Sequence, residues 1–240
     1  CLSPRMGEGP QPSDSELALR QPACIMAESE PATCEMKSPL KTLALEDFEA
    51  LKKDAQLIEQ DEHGEKVLLL PNGNYLKLFR RKRLISSASW YPYAQRFVDN
   101  ARTLAERGIP CPKVVDLFRI PALARDLVHY EPLPGTTLRK LVEQHLDEDT
   151  LSRLKRDFNQ LVRRLHDAGI YFRSLHLNNV VLTPKGKLGL IDISDIRVHR
   201  KPLSRFWRKR NLRRMEGIPG ERDWLDHGYL LGNRDQPALD

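Results

Sequence analysis

The sequence predicts an α+β protein of two lobes, in which an antiparallel sheet with one helix precedes a mostly helical lobe. Short apolar segments of strand length, separated by turn residues, follow one another between residues 56 and 79. A longer segment with apolar residues at helical spacing occupies residues 147–168. The chain of 240 residues is long enough to bury a core in each lobe.

The division into lobes follows from a change of composition along the chain. Residues 1–38 are rich in Pro, Ser, Glu and Gly and have no apolar periodicity, so we expect a disordered extension there. Residues 39–131 then form the predicted sheet lobe, and residues 132–240 form the predicted helical lobe. The spacing of apolar residues from Leu40 to Lys53 predicts an amphipathic helix at the start of the first lobe.

The first lobe is also predicted to contain five strands and a second helix. The predicted strands are Gln56–Gln60, Lys66–Leu70, Tyr75–Phe79, Val114–Ile120 and Ala124–Tyr130. Asn72-Gly73 is a strong hairpin signal between the second and third strands, because such a turn needs positive φ angles. The third strand carries Lys77, and an apolar stripe predicts the helix Tyr93–Arg107, which Gly108 ends.

The second lobe is predicted to begin with a short helix, Thr137–Gln144, and a long helix, Asp147–Ala168. A hairpin follows, with strands at Val180–Leu182 and Leu188–Ile191. From about Pro202 the sequence is typical of a helix that frays towards its end.

Positive charge is concentrated in one segment of this basic chain, whose formal net charge is +6. Residues 197–214 contain nine Lys and Arg residues and no acid, with Phe206 and Trp207 in the middle. Such a segment attracts anionic surfaces, such as phosphorylated glycolipid, membrane headgroups or nucleic acid. The alternative is an ordinary solvated helix face.

Cysteine usage and hydropathy argue against a disulfide-rich protein, a zinc protein and a membrane-spanning protein. The cysteines are Cys1, Cys24, Cys34 and Cys111. No CxxC pair occurs, so a disulfide framework or a zinc site is not expected, and a reducing cytoplasm fits best. The sequence has no apolar run of the roughly 18 residues that a membrane-spanning helix needs.

Three polar residues have the types and positions expected of a nucleotide and metal site. Asn179 ends a loop after the long helix, and Asp192 follows the next hairpin. Carboxylate and amide oxygens suit a hard cation such as Mg²⁺. Lys77, on an early strand, is suitably placed to pair with nucleotide phosphates.

From about Ala55 to Trp207 the sequence resembles the lipopolysaccharide core kinase family, which includes toluene tolerance proteins and belongs to the protein-kinase-like superfamily. The family loop pattern is His-Gly/Arg-Asp-Leu-His-x-x-Asn, and this chain has Phe172-Arg-Ser-Leu-His-Leu-Asn-Asn179. The segment Tyr130-Glu-Pro-Leu-Pro-Gly-Thr-Thr-Leu138 resembles the family hinge. The resemblance implies a two-lobed kinase-like fold that uses ATP and Mg²⁺.

The resemblance also implies roles for particular residues. Catalytic positions correspond to Ser174, His176 and Asp192. Nucleotide-binding positions correspond to Lys77, Glu131, Leu133 and Asn179, and the metal ligands to Asn179 and Asp192.

The chain departs from the kinase pattern in several places. Ser174 stands where the general-base aspartate is expected, and a serine hydroxyl cannot accept a proton at neutral pH without another base. The D-F-G triplet is Asp192-Ile-Ser194, and no G-x-G-x-x-G loop occurs. The helix before Gly108 has no clear glutamate; Asp99 is the nearest acid and Gln95 a neutral substitute. Asp195 is either a surface residue, the interpretation favoured here, or a substitute acid for the missing base.

Two functions are compatible with these residues. The first is an ATP-dependent phosphotransferase that acts on an inner-core sugar of lipopolysaccharide, with heptose preferred. The alternative is a pseudokinase, a non-catalytic nucleotide-binding or interaction module in envelope biogenesis; a kinase of protein substrates is a weaker third reading. The expected partners are the anionic glycolipid and, through residues 197–214, the membrane surface, with no nucleic acid. We expect a cytoplasmic protein that is peripheral at the inner membrane.

Overall fold

The computed structural model describes residues 40–81 and 91–232, and it has the predicted α+β class. A multi-stranded sheet and several helices are compatible with a two-lobed kinase-like fold. The extension predicted over residues 1–38 lies outside the described residues, and the division of the chain at residue 131 stays a prediction. In the described ranges no helix is both long and apolar enough to span a membrane.

Six strands of the described ranges form the main sheet, in the order β1-β5-β6-β4-β3-β2. They are β1 Lys41–Thr42, β2 Gln56–Asp61, β3 Gly64–Leu69, β4 Tyr75–Arg80, β5 Lys113–Ile120 and β6 Arg125–Glu131. β1 pairs with β5 in parallel, whereas every other neighbouring pair is antiparallel. The five longer strands confirm the five predicted strands, and each observed end lies within two residues of the predicted end.

The helices follow the apolar periodicity of the sequence. They are α1 Leu45–Leu51, α2 Tyr93–Glu106, α3 Leu138–Glu143, α4 Glu148–Asp167, α5 Arg205–Glu216 and α6 His227–Leu231. Thr137 caps α3 by accepting a hydrogen bond from the Lys140 amide at 3.3 Å, and Asp147 caps α4 through the Thr150 amide at 2.8 Å. These caps explain why α3 and α4 begin one residue after the predicted starts.

The first predicted helix is wrong in its N-terminal part. Lys41–Thr42 is a strand that pairs with Phe118 and Arg119 of β5, and α1 begins only at Leu45. The Leu43 amide donates to the Arg119 carbonyl at 2.8 Å. The edge of β5 thus takes the backbone groups that the first turn of a longer helix would need, while Leu43 still packs on the core.

The predicted hairpin after α4 is confirmed, and short strands that the sequence did not predict join it to frame the loop region. β7 Thr136–Thr137 pairs with β9 Val180–Leu182, which pairs with β10 Leu188–Leu190. β8 Ile170–Phe172 pairs with β11 Ile196–Val198, with Phe172 opposite Ile196. This last pairing brings the loop after β8 beside the turn that precedes β11.

Two apolar clusters support the two sides of the main sheet. The smaller cluster contains Phe48 of α1 and Leu76 and Leu78 of β4. Side chains alternate along a strand, so Lys77 lies on the opposite face. On that face the larger cluster joins α2, α4 and the short strands, and it includes Phe97 and Phe158. Lys77 therefore faces the helices and loops that follow the hinge segment, residues 130–138.

Candidate active site

Lys77 and Asp192, which are 115 residues apart in the chain, form an ion pair at the centre of the candidate site. The Lys77 Nζ atom lies 2.6 Å from the Asp192 Oδ1 atom. The Lys77 side chain is 13% exposed, whereas the Asp192 side chain is 48% exposed and so can reach a ligand. The structure thus brings together two of the residues that the sequence predicted for nucleotide and metal binding.

The turn that carries Asp192 is held by a buried amide from helix α2. Asp192 has a left-handed backbone with φ of 51°, a conformation that costs a non-glycine residue about 1 kcal/mol or more. The Asn100 Nδ2 atom donates to the Ile193 carbonyl at 2.7 Å and to the Ile196 carbonyl at 3.3 Å. Sequence reasoning missed Asn100, although a polar residue within the apolar stripe of α2 was a usable signal.

The loop from Ser174 to Asn179 is closed by its own terminal residue. The Asn179 Nδ2 atom donates to the Ser174 carbonyl at 2.9 Å, and the Asn179 carbonyl accepts from the Ile191 amide at 3.0 Å. Asn179 is buried. Its Oδ1 atom has no hydrogen-bond partner within residues 40–81 and 91–232, so this oxygen remains available to a cation.

Asp195 is not the surface residue that the sequence interpretation favoured. Its side chain is partly buried, and its Oδ2 atom accepts a hydrogen bond from the Ser174 hydroxyl. The Oδ1 atom is buried and has no partner in the described part of the chain. Burial raises the pKa of Asp195, as does the nearby Asp192 carboxylate, while the Ser174 hydrogen bond and Arg173 act in the opposite direction. The expectation failed because the register of β8 with β11 folds position 195 inwards.

His176 lies in the same loop, close to the positive charges of Arg214 and Arg139. Its Nδ1 atom is buried and has no hydrogen-bond partner among the residues described. Burial lowers the pKa of His176, and the positive charges of Arg214 and Arg139 lower it further. A lowered pKa favours the neutral imidazole, whereas Lys77 forms the ion pair with Asp192.

A buried carboxylate from the C-terminal part of the chain anchors this loop. Glu221 is 1% exposed; its Oε2 atom accepts from the Leu177 amide at 3.2 Å, and its Oε1 atom pairs with Arg139 of α3. A buried charge needs such partners. Sequence reasoning missed Glu221, because nothing in the surrounding Pro-Gly-Glu-Arg segment signals a contact with residues 82 and 44 positions away.

The hinge residues Glu131 and Leu133 lie at the junction between the sheet and the helices. Glu131 ends β6, and its carboxylate meets the Lys113 Nζ atom at 3.0 Å in an exposed pair. Leu133 packs over Gly189 of β10: a Cβ atom at Gly189 would lie 2.6 Å from the Leu133 Cδ2 atom and 2.5 Å from the Pro110 carbonyl oxygen. Only glycine permits this close approach. The nucleotide contacts of Glu131 and Leu133 stay predictions.

Helix α2 supplies no acid to Lys77. Asp99 instead accepts from the Tyr91 hydroxyl at 2.6 Å, the Gln95 amide at 3.2 Å and the Arg102 guanidinium at 3.2 Å. Within residues 40–81 and 91–232, the ion-pair partner of Lys77 is Asp192. Helix α2 thus gives Lys77 no acidic partner, in agreement with the lack of a clear glutamate in its sequence.

The donor set fits a magnesium ion shared with a nucleotide. The described residues contain no group of three or more His, Cys, Asp or Glu side chains that could hold a metal. Asp192 and Asn179 offer one carboxylate and one free amide oxygen, and Mg²⁺ commonly binds through one or two carboxylates, waters and substrate phosphates. The site is therefore suited to a metal that arrives with phosphate oxygens.

The basic segment 197–214 is not uniform. Arg208 is internal: its guanidinium bonds Asp167 at 2.5 Å and the Leu203 carbonyl at 2.9 Å. Trp207 packs against Tyr171 and His199, whereas Phe206 is 66% exposed. The basic residues with no ion pair in the ranges described are Arg197, Arg200, Lys201, Arg205, Lys209, Arg210, Arg213 and Arg214. The segment thus combines a structural arginine with a cationic surface around an exposed phenyl ring.

The described fold, with Lys77 of the sheet in contact with Asp192, is compatible with the two-lobed protein-kinase-like fold. The model of the phosphotransferase enzyme family named APH matches residues 56–173. The match covers β2 to β8 and supports kinase-like phosphotransfer as the general activity. It ends one residue before Ser174, so the loop and Asp192 lie beyond it. No curated protein matches the chain, and the relation to lipopolysaccharide core kinases stays a prediction.

Proposed function

We propose that the chain is an ATP-dependent phosphotransferase that acts on a hydroxyl group of a lipopolysaccharide inner-core sugar, a heptose. The observation that carries the proposal is the 2.6 Å contact between Lys77 of the sheet and Asp192 of the loop region, with Asn179 on the neighbouring loop. Phosphoryl transfer depends mainly on positioning and on neutralising phosphate charge. These three side chains supply one cation and two metal-binding oxygens for that purpose.

Each of these residues has a distinct part in the proposed reaction. Lys77 binds nucleotide phosphate oxygens, and Asp192 and Asn179 hold Mg²⁺, which supplies neutralisation of the phosphate charge when bound. The buried Asn100 and Glu221 keep the two loops in place. Leu133, packed on Gly189, lines the hinge side of the site.

The cationic surface of residues 197–214 supports the choice of acceptor. Unpaired Lys and Arg side chains attract phosphorylated headgroups, and an exposed phenyl ring such as Phe206 can enter the boundary of a lipid layer. An anionic glycolipid offers a phosphorylated headgroup to the cations and a lipid layer to the phenyl ring. We therefore propose that this segment holds the acceptor at the inner membrane surface.

A thermal-shift titration with ATP and MgCl₂ tests the nucleotide site. We expect the melting temperature of the protein to rise with both ligands present, because binding to the folded state alone stabilises it. Asp192→Asn should remove the magnesium-dependent part of the shift. Asp116→Asn is a matched control, since Asp116 pairs with Lys41 on the far edge of the sheet. No shift in the wild-type protein would sink the enzyme proposal.

Mass analysis of core oligosaccharide tests the acceptor. Cells that lack the gene should produce core that is lighter by one phosphate on a heptose, and the wild-type gene should restore it. An unchanged phosphate count in the deletion strain would contradict the proposed substrate.

A pseudokinase is the second candidate function, and Ser174 is the observation that favours it. The position expected to carry the base has a hydroxyl group, and the glycine of the D-F-G triplet is replaced by Ser194. A pseudokinase would bind ATP and magnesium in the thermal-shift assay but leave the core phosphate count unchanged. The two assays together therefore separate the two functions.

A further inference from the structure

The contact between Ser174 and Asp195 suggests where the missing base of the loop is located. We propose that Asp195 accepts, through the Ser174 hydroxyl, the proton that the acceptor hydroxyl loses during phosphoryl transfer. This inference rests on the proposed phosphotransferase function and deepens it. It assigns the step that a serine at position 174 cannot perform alone.

The geometry of the contact is fixed by regular structure on both sides. Phe172 lies opposite Ile196 in the β8–β11 pair, so Ser174, two residues after Phe172, meets Asp195, one residue before Ile196. Asn179 fixes the Ser174 backbone, and Asn100 fixes the carbonyls on either side of the Asp195 turn. The hydroxyl and the carboxylate are therefore held together by the fold.

The free oxygen of Asp195 indicates more than a structural brace. A carboxylate that only braces a loop would have hydrogen-bond donors on both oxygens, because an unsatisfied buried polar atom is destabilising. The Asp195 Oδ1 atom is buried without a donor in the described part of the chain. Withholding donors from a carboxylate destabilises the anion and makes the group a better base. The raised pKa of Asp195, caused first by burial, agrees with this reading.

A serine hydroxyl can pass a proton because it both donates and accepts hydrogen bonds. In the proposed step the acceptor oxygen forms a bond to the γ-phosphorus, and the bond from that phosphorus to the leaving oxygen of ADP breaks. The proton of the acceptor moves to the Ser174 Oγ atom, while the original Ser174 proton moves to the Asp195 Oδ2 atom. Asp195 then releases its proton to solvent after the product leaves, which restores the starting state.

The test compares Asp195→Asn with Ser174→Ala in the full chain. The asparagine keeps the size of the side chain and can still accept the Ser174 hydrogen bond, so the loop remains braced. The probes are ATP with MgCl₂ and purified lipopolysaccharide core that has been dephosphorylated. General-base catalysis contributes about 10²–10⁴-fold, so both variants should lose about 100-fold or more in transfer rate while retaining the ATP-dependent thermal shift.

A carboxylate exchange distinguishes proton transfer from bracing. The double variant Ser174→Asp, Asp195→Asn moves the carboxylate to the position of the base and should recover transfer to within about tenfold of wild type. A role in bracing alone predicts instead that Asp195→Asn, which keeps the brace, transfers phosphate close to the wild-type rate, so that there is no loss for the exchange to recover. Asp116→Asn, far from the loop, should transfer phosphate at the wild-type rate.

The pH profile gives a second readout. The wild-type rate should fall as the pH is lowered through the raised pKa of Asp195, and this limb should disappear in Asp195→Asn. The ionisable groups that act on Asp195 are Asp192, which raises its pKa, and Arg173, which lowers it; from α2 the neutral Asn100 binds the Asp195 turn. Neither Asp192 nor Arg173 is altered in the variant.

Two outcomes would overturn the inference, and they are distinguishable. An Asp195→Asn protein that transfers phosphate at the wild-type rate, with the same pH profile, would overturn the relay and leave the phosphotransferase function standing. A wild-type protein that binds ATP and magnesium but transfers phosphate to neither the core nor water would overturn both, and the pseudokinase would remain.

Discussion

The two sides of the site are held in place by different kinds of structure. Lys77 belongs to a regular strand, and the buried side chains of Leu76 and Leu78 on the opposite face fix its direction. The loops that carry Asp192 and Asn179 are irregular, and buried polar side chains hold them instead. The sheet side therefore depends on apolar packing, whereas the loop side depends on hydrogen bonds and buried charge.

Removing apolar packing from the sheet side should have the largest effect on stability. Leu76 is fully buried between α1 and the sheet. Leu76→Ala should lower the free energy of unfolding by about 3–4 kcal/mol, the usual range for a buried leucine, as measured by urea denaturation. Leu57→Ala is the control, because Leu57 is an exposed strand residue of the same sheet. Equal losses in the two variants would contradict the packing described for β4.

Breaking the charged anchor of the loop side should have the next largest effect. Glu221→Ala leaves Arg139 and the Leu177 amide without their partner. We expect a loss of about 3 kcal/mol in the free energy of unfolding, with a loss of the ATP-dependent thermal shift. Glu216→Ala, at a more exposed carboxylate nearby in the chain, should stay close to wild type. A stable Glu221→Ala protein that still binds ATP would show that the loop needs no such anchor.

Acid should weaken the loop side through His166. Its Nε2–H group donates to the Asn211 Oδ1 atom at 3.1 Å, and the Asn211 Nδ2 atom donates to the Phe172 carbonyl at 2.5 Å, just before the loop. Burial lowers the pKa of His166 from 6.5 to about 4; Arg208 lowers it too, while the Asn211 hydrogen bond and Asp167 oppose the shift.

The direction in which stability changes with pH follows from proton binding. Between pH 6.5 and about 4 the unfolded chain binds a proton at His166 that the folded chain does not, so stability falls as the pH is lowered, by up to about 3 kcal/mol. Denaturation of wild type and His166→Gln at pH 7 and pH 4.5 measures this, and the variant should lose less. The same loss in both proteins would contradict it.

Lys77→Met should have the smallest effect on stability and should abolish nucleotide binding. The partner carboxylate of Lys77 is half exposed, so solvent weakens the ion pair, and the free energy of unfolding should change by less than about 1 kcal/mol. The thermal shift with ATP and MgCl₂ should vanish. Lys41→Met, which removes a lysine that pairs with Asp116 at the far edge of the sheet, is the matched control. Retention of the shift in Lys77→Met would separate Lys77 from nucleotide binding.

The sheet side was the more predictable from sequence, for a physical reason. Periods of two and 3.6 residues are local properties, so the strands around Lys77 and the helix Tyr93–Glu106 appear in the sequence directly. The assignment of Lys77 and Asp192 to one site came from the residue types and their order, whereas their direct ion pair appears only in the structure. The error at Lys41–Thr42 arose because an edge strand can satisfy a helical apolar pattern when a neighbouring strand takes its backbone groups.

The loop side was less predictable, because its anchors are single polar residues far apart in the chain. Asn100 contacts carbonyls 93 and 96 residues away; its polar side chain stands out within the apolar stripe of its helix, but no local pattern identifies its partners. Asp195 was expected at the surface because its burial depends on the register of two three-residue strands. Residues of this kind become visible only when the tertiary contacts are known.

The ion pair of Lys77 with Asp192 means that the resting site carries its own counter-ions. For the proposed function, ligand binding is then an exchange of partners: Lys77 leaves Asp192 for a phosphate, and Asp192 leaves Lys77 for a metal. Either ligand alone separates the pair and satisfies only one of the two side chains. ATP and magnesium should consequently favour each other's binding by the same factor, as reciprocal linkage requires, so the site responds to the complex of the two more strongly than to either component.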